Sequence, residues 1–103
     1  MNGVDLIRQE RRRQRSRSKW GEAYSLRHDD GHDRGEIARA AAVYAMPPEF
    51  RERNQDLVGV LTPPYWHLKL SSGDRRRELV KAGALIAAEI DRLARIEELE
   101  GNA

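Results

Sequence analysis

The sequence predicts an all-α protein, a small antiparallel helical bundle with a long irregular connection between its second and last helices. Three observations carry this expectation. Ile37, Ala40, Ala41, Tyr44 and Ala45 are apolar at i, i+3, i+4, i+7 and i+8, which lays one stripe along a helix. Leu79, Gly83, Ile86, Ile90 and Leu93 recur at spacings of 4, 3, 4 and 3, the seam by which a long helix packs against a neighbour. The chain has 103 residues and no internal repeat, enough for one modest core, so a single helical domain over 1–103 is expected.

Each element has its own signal. Residues 4–16 contain good helix formers and neither Pro nor Gly, but few large apolar side chains beyond Leu6 and Ile7; a first helix docked by its first turn, with its arginines outward, follows. Residues 19–32, rich in Gly, Asp and His without periodicity, read as a loop anchored by Trp20, Tyr24 and Leu26. Asp33 and Glu36 have the spacing of a capping box, so a helix is expected over 34–45, stopped by Met46-Pro47-Pro48. Its alanines predict close approach to another helix. Residues 47–72 hold two Pro-Pro pairs, a charged stretch and a β-like run from Leu57 to Leu61. They read as the irregular connection, with a short helix before Leu57 and an extended segment around Tyr65, Trp66 and Leu68 crossing the bundle. The last helix is expected over 74–99, ended by Gly101. On it Leu85 and Ala88 lie off the seam and read as part of a second face, covered by the connection or by another subunit.

Composition narrows the function classes. There is no cysteine, which excludes disulfide staples, thiolate ligands and a cysteine nucleophile. The opening MNGVDLIRQERRR lacks the apolar stretch of a signal peptide, and the longest apolar run, 82–88, is far below membrane-spanning length; a cytoplasmic protein with no membrane partner is expected. Net charge is only +2, but seven basic residues between Leu6 and Trp20 face a single acid, Glu10. Such a segment faces solvent or an anion. It allows unspecific nucleic-acid binding, without a recognition motif or aromatics between Arg8 and Lys19. No Gly-x-Ser-x-Gly elbow or phosphate loop is present.

Several blocks of residues occur in a telling order: Glu10-Arg11-Arg12-Arg13-Gln14, Lys19-Trp20-Gly21, His28-Asp29-Asp30 with His32, Gly35-Glu36-Ile37-Ala38, and the run from Arg77 to Ile86 followed by Glu89-Ile90. The pattern resembles a group of small phage and prophage proteins, which would place this chain in a host-cell cytoplasm. That group in turn resembles, distantly, the MazG-like all-α nucleoside triphosphate pyrophosphohydrolases. Those enzymes use paired Glu-x-x-Glu and Glu-x-x-Asp motifs to hold magnesium against a triphosphate. Here Glu36 is followed by Arg39 and Glu78 by Lys81, so each second acid has become a base. The resemblance therefore implies an accessory protein that binds a nucleotide or related phosphorylated ligand without turnover, sequestering a host defence signal. No cofactor is expected on that reading. The alternative it implies is a magnesium-dependent pyrophosphohydrolase using Glu36 and Glu78 with Glu89, Asp29 or Asp30. A module acting on a host protein is a third reading.

The residues themselves suggest where a ligand would sit. Glu78, Lys81, Glu89 and Arg92 fall on neighbouring rows of the last helix near Leu85, which reads either as a solvated charged face or as a mixed-charge rim around an apolar floor, with Lys81 and Arg92 meeting phosphate. The loop residues His28, Asp29, Asp30 and His32, the helix residues Arg11 and Arg12, and Trp20 complete the candidate ligand set. The His-Asp loop is short of ligands for a metal, and none is expected. A homodimer or larger even assembly, with the last helix at its interface, is the expected oligomer.

Overall fold

The computed structural model describes residues 1–16, 31, 33–70 and 73–101. They form five helices: α1 (Gly3–Ser16), α2 (Glu36–Ala45), α3 (Pro48–Arg53), α4 (Gln55–Leu61) and α5 (Arg75–Gly101). No strand occurs among the described residues, so the all-α class stands. Among them, no helix is long and apolar enough to cross a membrane.

α1 opens on a reciprocal cap. The Asp5 amide donates to Asn2 Oδ1 (2.9 Å) while the Asn2 amide donates to Asp5 Oδ2 (3.3 Å), satisfying two of the amides a helix start leaves without partners. The capping box expected from Asp33 and Glu36 does not form. Gly35, at a left-handed φ of 77°, stands at the N-cap of α2 with no side-chain cap, and Glu36 Oε1 instead accepts the Arg34 amide at 2.5 Å. The helix ends as expected where Met46 turns extended before the proline pair, and Pro48 then starts α3 in the first turn, where a missing N–H costs nothing.

The connection is more regular than its composition suggests. The β-like run Leu57–Leu61 is helical, within α4, because Val58 and Leu61, three apart, turn inward while Leu57 and Val60 stay exposed. Helical period, not β-branched content, fits that half-covered position. Beyond α4, residues 66–70 carry no regular structure, and Trp66 and Leu68 pack against the core, as expected of an extended crossing segment. The Lys69 amide donates to the Tyr44 hydroxyl at 2.9 Å and fixes this segment to α2.

The core is built from small side chains. Ile37, Ala40, Ala41 and Tyr44 of α2 meet Ala82, Leu85 and Ala88 of α5, and the alanines allow the close approach the sequence implied. The seam on α5, however, faces the other way. Leu79, Ile86, Ile90 and Leu93 are 47%, 49%, 61% and 47% exposed, whereas Leu85 and Ala88, expected on an outer strip, are 5% and 1% exposed. Two apolar stripes run along α5, and the alanine-bearing one fits the alanine face of α2 more closely than the bulky one.

The end of α2 meets the start of α5 through buried charge. Arg51 donates from Nη1 to the carbonyls of Met46 (2.7 Å) and Val43 (3.3 Å), and from Nη2 to Glu78 Oε2 at 2.5 Å. Arg75 donates from Nη1 to the carbonyls of Tyr44 (3.0 Å) and Met46 (2.8 Å), and from Nη2 to that of Ala45. It also lies 3.4 Å from Glu78 Oε1. The last carbonyls of α2 thus receive two guanidinium groups, whose positive charge also suits the negative end of the helix dipole.

Candidate functional site

The candidate site lies where α1 crosses α5, and a glycine makes the crossing close. A Cβ built on Gly83 would stand 2.5 Å from Ile7 Cδ1 and 2.8 Å from Ile7 Cγ1, so Ile7 occupies space that a side chain at 83 would need. Beside this crossing the two helices enclose a groove of about 420 Å³, lined by Leu6, Gln9, Glu10 and Arg13 of α1, Asp74 at the head of α5, and Arg76, Arg77 and Val80 of α5.

One buried acid organises it. The Glu10 side chain is 1% exposed and receives Arg13 through two bonds, Nε to Oε1 at 2.8 Å and Nη2 to Oε2 at 2.7 Å. Arg77 Nη2 lies 2.8 Å from Oε1, and Gln14 Nε2 donates to Oε2 at 3.3 Å. Burial pushes the Glu10 carboxyl up, but the hydrogen bonds and charges of Arg13 and Arg77 outweigh it and hold it below the usual carboxylate range. Glu10 stays charged at neutral pH and holds two arginines in fixed positions. Both remain more than one-third exposed at the side chain, so the cluster is open to solvent.

The field around the groove is positive. Its lining carries three arginines against two acids, and one of those acids, Asp74, accepts the Arg77 amide at 3.0 Å as the cap of α5. Lys81 sits one turn beyond Arg77; its Nζ donates to the Lys69 carbonyl at 3.1 Å and lies 5.6 Å from the centre of the Tyr44 ring. Burial and then the charge of Arg77 push the Lys81 ammonium below the usual lysine range; Glu10 pulls it up, while Arg13 and Lys69 push it further down.

The residues singled out in the sequence are scattered. Lys81 does not line the groove; its ammonium is held at the Lys69 carbonyl beside the Tyr44 ring. Leu85 is in the core, and Arg92 is buried with its Nε on Glu89, so no rim around Leu85 exists on the surface. Arg11 is buried with a guanidinium nitrogen 3.9 Å from Asp91, and Arg12 is exposed. Glu78 is fully buried between Arg51 and Arg75 at the end of α2, whereas Glu36 stands at its start. The ten-residue helix between them is roughly 15 Å long, too far for two carboxylates to share one magnesium ion. Trp20, His28, Asp29, Asp30 and His32 lie outside the described residues. Groups of three or more potential metal ligands are absent among the described residues.

Sequence reasoning missed Arg13 and Arg77 as a pair. The available signal was Glu10 itself, the single acid in a basic helix, three residues before Arg13 and so able to reach it along one face. Nothing local announces Arg77 as its second partner. No known protein family, curated protein or solved structure matches the chain.

Proposed function

We propose that the chain binds a nucleotide or related phosphorylated ligand in the α1–α5 groove without turning it over. The observation that supports this most is the pair Arg13 and Arg77, held by one buried glutamate at the edge of a groove of about 420 Å³. A guanidinium fixed in advance loses little freedom when it meets phosphate, and its planar fork matches phosphate oxygens. Leu6 and Val80 supply an apolar floor for a base or sugar ring, and the volume falls in the range of small-molecule sites. The resemblance to phage and prophage proteins extends the proposal to a cytoplasmic accessory role, the sequestering of a host signal.

Thermal unfolding in the presence of nucleoside di- and triphosphates, cyclic nucleotides and ADP-ribose tests it. A ligand at a hundred times its Kd stabilises by about 2.7 kcal/mol, and Arg13→Ala should abolish the shift. No shift with any of these compounds, in excess over the protein, rejects the reading. Magnesium-dependent pyrophosphate release would instead favour the pyrophosphohydrolase alternative. The host-factor reading draws support from the exposed apolar face of α5.

A further inference from the structure

We infer that the ligand of the α1–α5 groove is a soluble phosphate monoester carrying one aliphatic chain, its phosphate on Arg13 and Arg77 and its chain in a second hollow that adjoins the groove. This narrows, and rests on, the proposal that the groove takes a phosphorylated ligand.

The two hollows share a wall. Leu6, Arg76 and Val80, which line the groove, also line a second hollow of about 440 Å³, completed by Met1, Gly3, Ile7 and Leu79. The halves differ in chemistry. Glu10, Arg13, Asp74 and Arg77 belong to the groove alone, whereas Arg76 is the one polar side chain of the second hollow among the described residues. Charge therefore lies at one end and aliphatic carbon at the other, with Leu6 and Val80 between them. A site of that polarity fits a ligand of the same polarity.

The lining selects a chain over a nucleoside. Among the described residues, no aromatic side chain borders either hollow, so a base finds no ring to stack on. The second hollow has no amide or hydroxyl side chain among those residues, so a base edge or a sugar would enter it with polar groups unpaired. A hydrocarbon chain loses nothing there. Leu79, 47% exposed, and Ile7, seated over Gly83, supply its walls. Arg76 serves both halves: its exposed guanidinium adds a third positive charge to the phosphate end, and its methylene stem can lie along the chain. Because the apolar side chains line a hollow between two helices, the arrangement suits one chain drawn out of water and not a bilayer surface.

Nuclear magnetic resonance titration of the full chain with n-alkyl phosphates, from butyl to decyl and below the concentrations at which they aggregate, tests the assignment. Affinity should rise roughly three- to four-fold with each methylene until the hollow is filled. Leu79→Gln, with its helical circular dichroism retained, should flatten that rise and leave butyl phosphate binding as it was. Arg13→Ala should weaken every member of the series alike. If nucleotides bind through Arg13 and alkyl phosphates gain nothing with length, the inference is overturned and the phosphate reading stands. If neither nucleotides nor any alkyl phosphate binds, both are overturned. A gain with length that Leu79→Gln leaves untouched puts the chain elsewhere and overturns the inference. So does cosedimentation with phosphatidylcholine vesicles containing phosphatidic acid in the absence of binding to the monomeric phosphates, which would favour a membrane surface.

Discussion

Two clusters in this molecule have the same composition and opposite settings. Each places one buried glutamate between two arginines: Glu78 with Arg51 and Arg75, and Glu10 with Arg13 and Arg77. At Glu78 the guanidinium groups also hold the last carbonyls of α2, and the Arg51 side chain is 9% exposed. At Glu10 the arginine side chains are 43% and 37% exposed and border an open groove. An arginine–glutamate cluster acquires a role from what its remaining N–H groups meet. Where they meet backbone carbonyls the cluster holds the fold together, and where the arginines border a groove they stay partly exposed to solvent.

The contrast is broken most severely at the closed cluster. Glu78→Gln removes the charge that compensates two guanidinium groups, one of them buried, and should cost about 3–5 kcal/mol in urea unfolding. The same change at the open cluster is milder. Glu10→Gln leaves arginines that can turn to water, and the expected loss is about 1–2 kcal/mol by the same measurement. The smallest effect is the most specific. Because the folded Glu10 carboxyl lies below its ordinary value near 4.5, its contribution to stability is full above that value and is lost as pH falls through the lower, folded pKa. Stability measured across the acid range should therefore show a decline below pH 4.5 that is shallower in Glu10→Gln.

How much of this was legible depends on range. The all-α class, the long last helix and the stop at Met46-Pro47-Pro48 follow from periodicity and proline chemistry, which act within a few residues. The side of α5 that faces inward does not. Periodicity found the row Leu79, Ile86, Ile90 and Leu93 but not its direction, because a second stripe with Ala82, Leu85 and Ala88 lies beside it and only the shape of α2 chooses between them. The capping box was a true motif at the wrong address: Asn2 and Asp5 form one, while Gly35 displaces Asp33 from the cap of α2. The candidate groove was legible in half. The excess of arginine in α1 pointed to an anion, but Glu10 and Arg77 are distant in the chain, and a pairing across that distance leaves no local trace.

The arginine clamp on α2 also sets how the chain comes together. The final turn of α2 is held by Arg51, Arg75 and Glu78, residues that become neighbours only when the connection has folded back and α5 has docked. A nascent chain that ends before α5 would therefore carry α2 with its Tyr44 and Ala45 carbonyls lacking the Arg75 guanidinium, and Arg51 lacking its buried carboxylate. Docking of α5 completes the neighbouring helix and the core in one event, which couples distant segments into a single cooperative transition and leaves little stability for any intermediate with α5 detached.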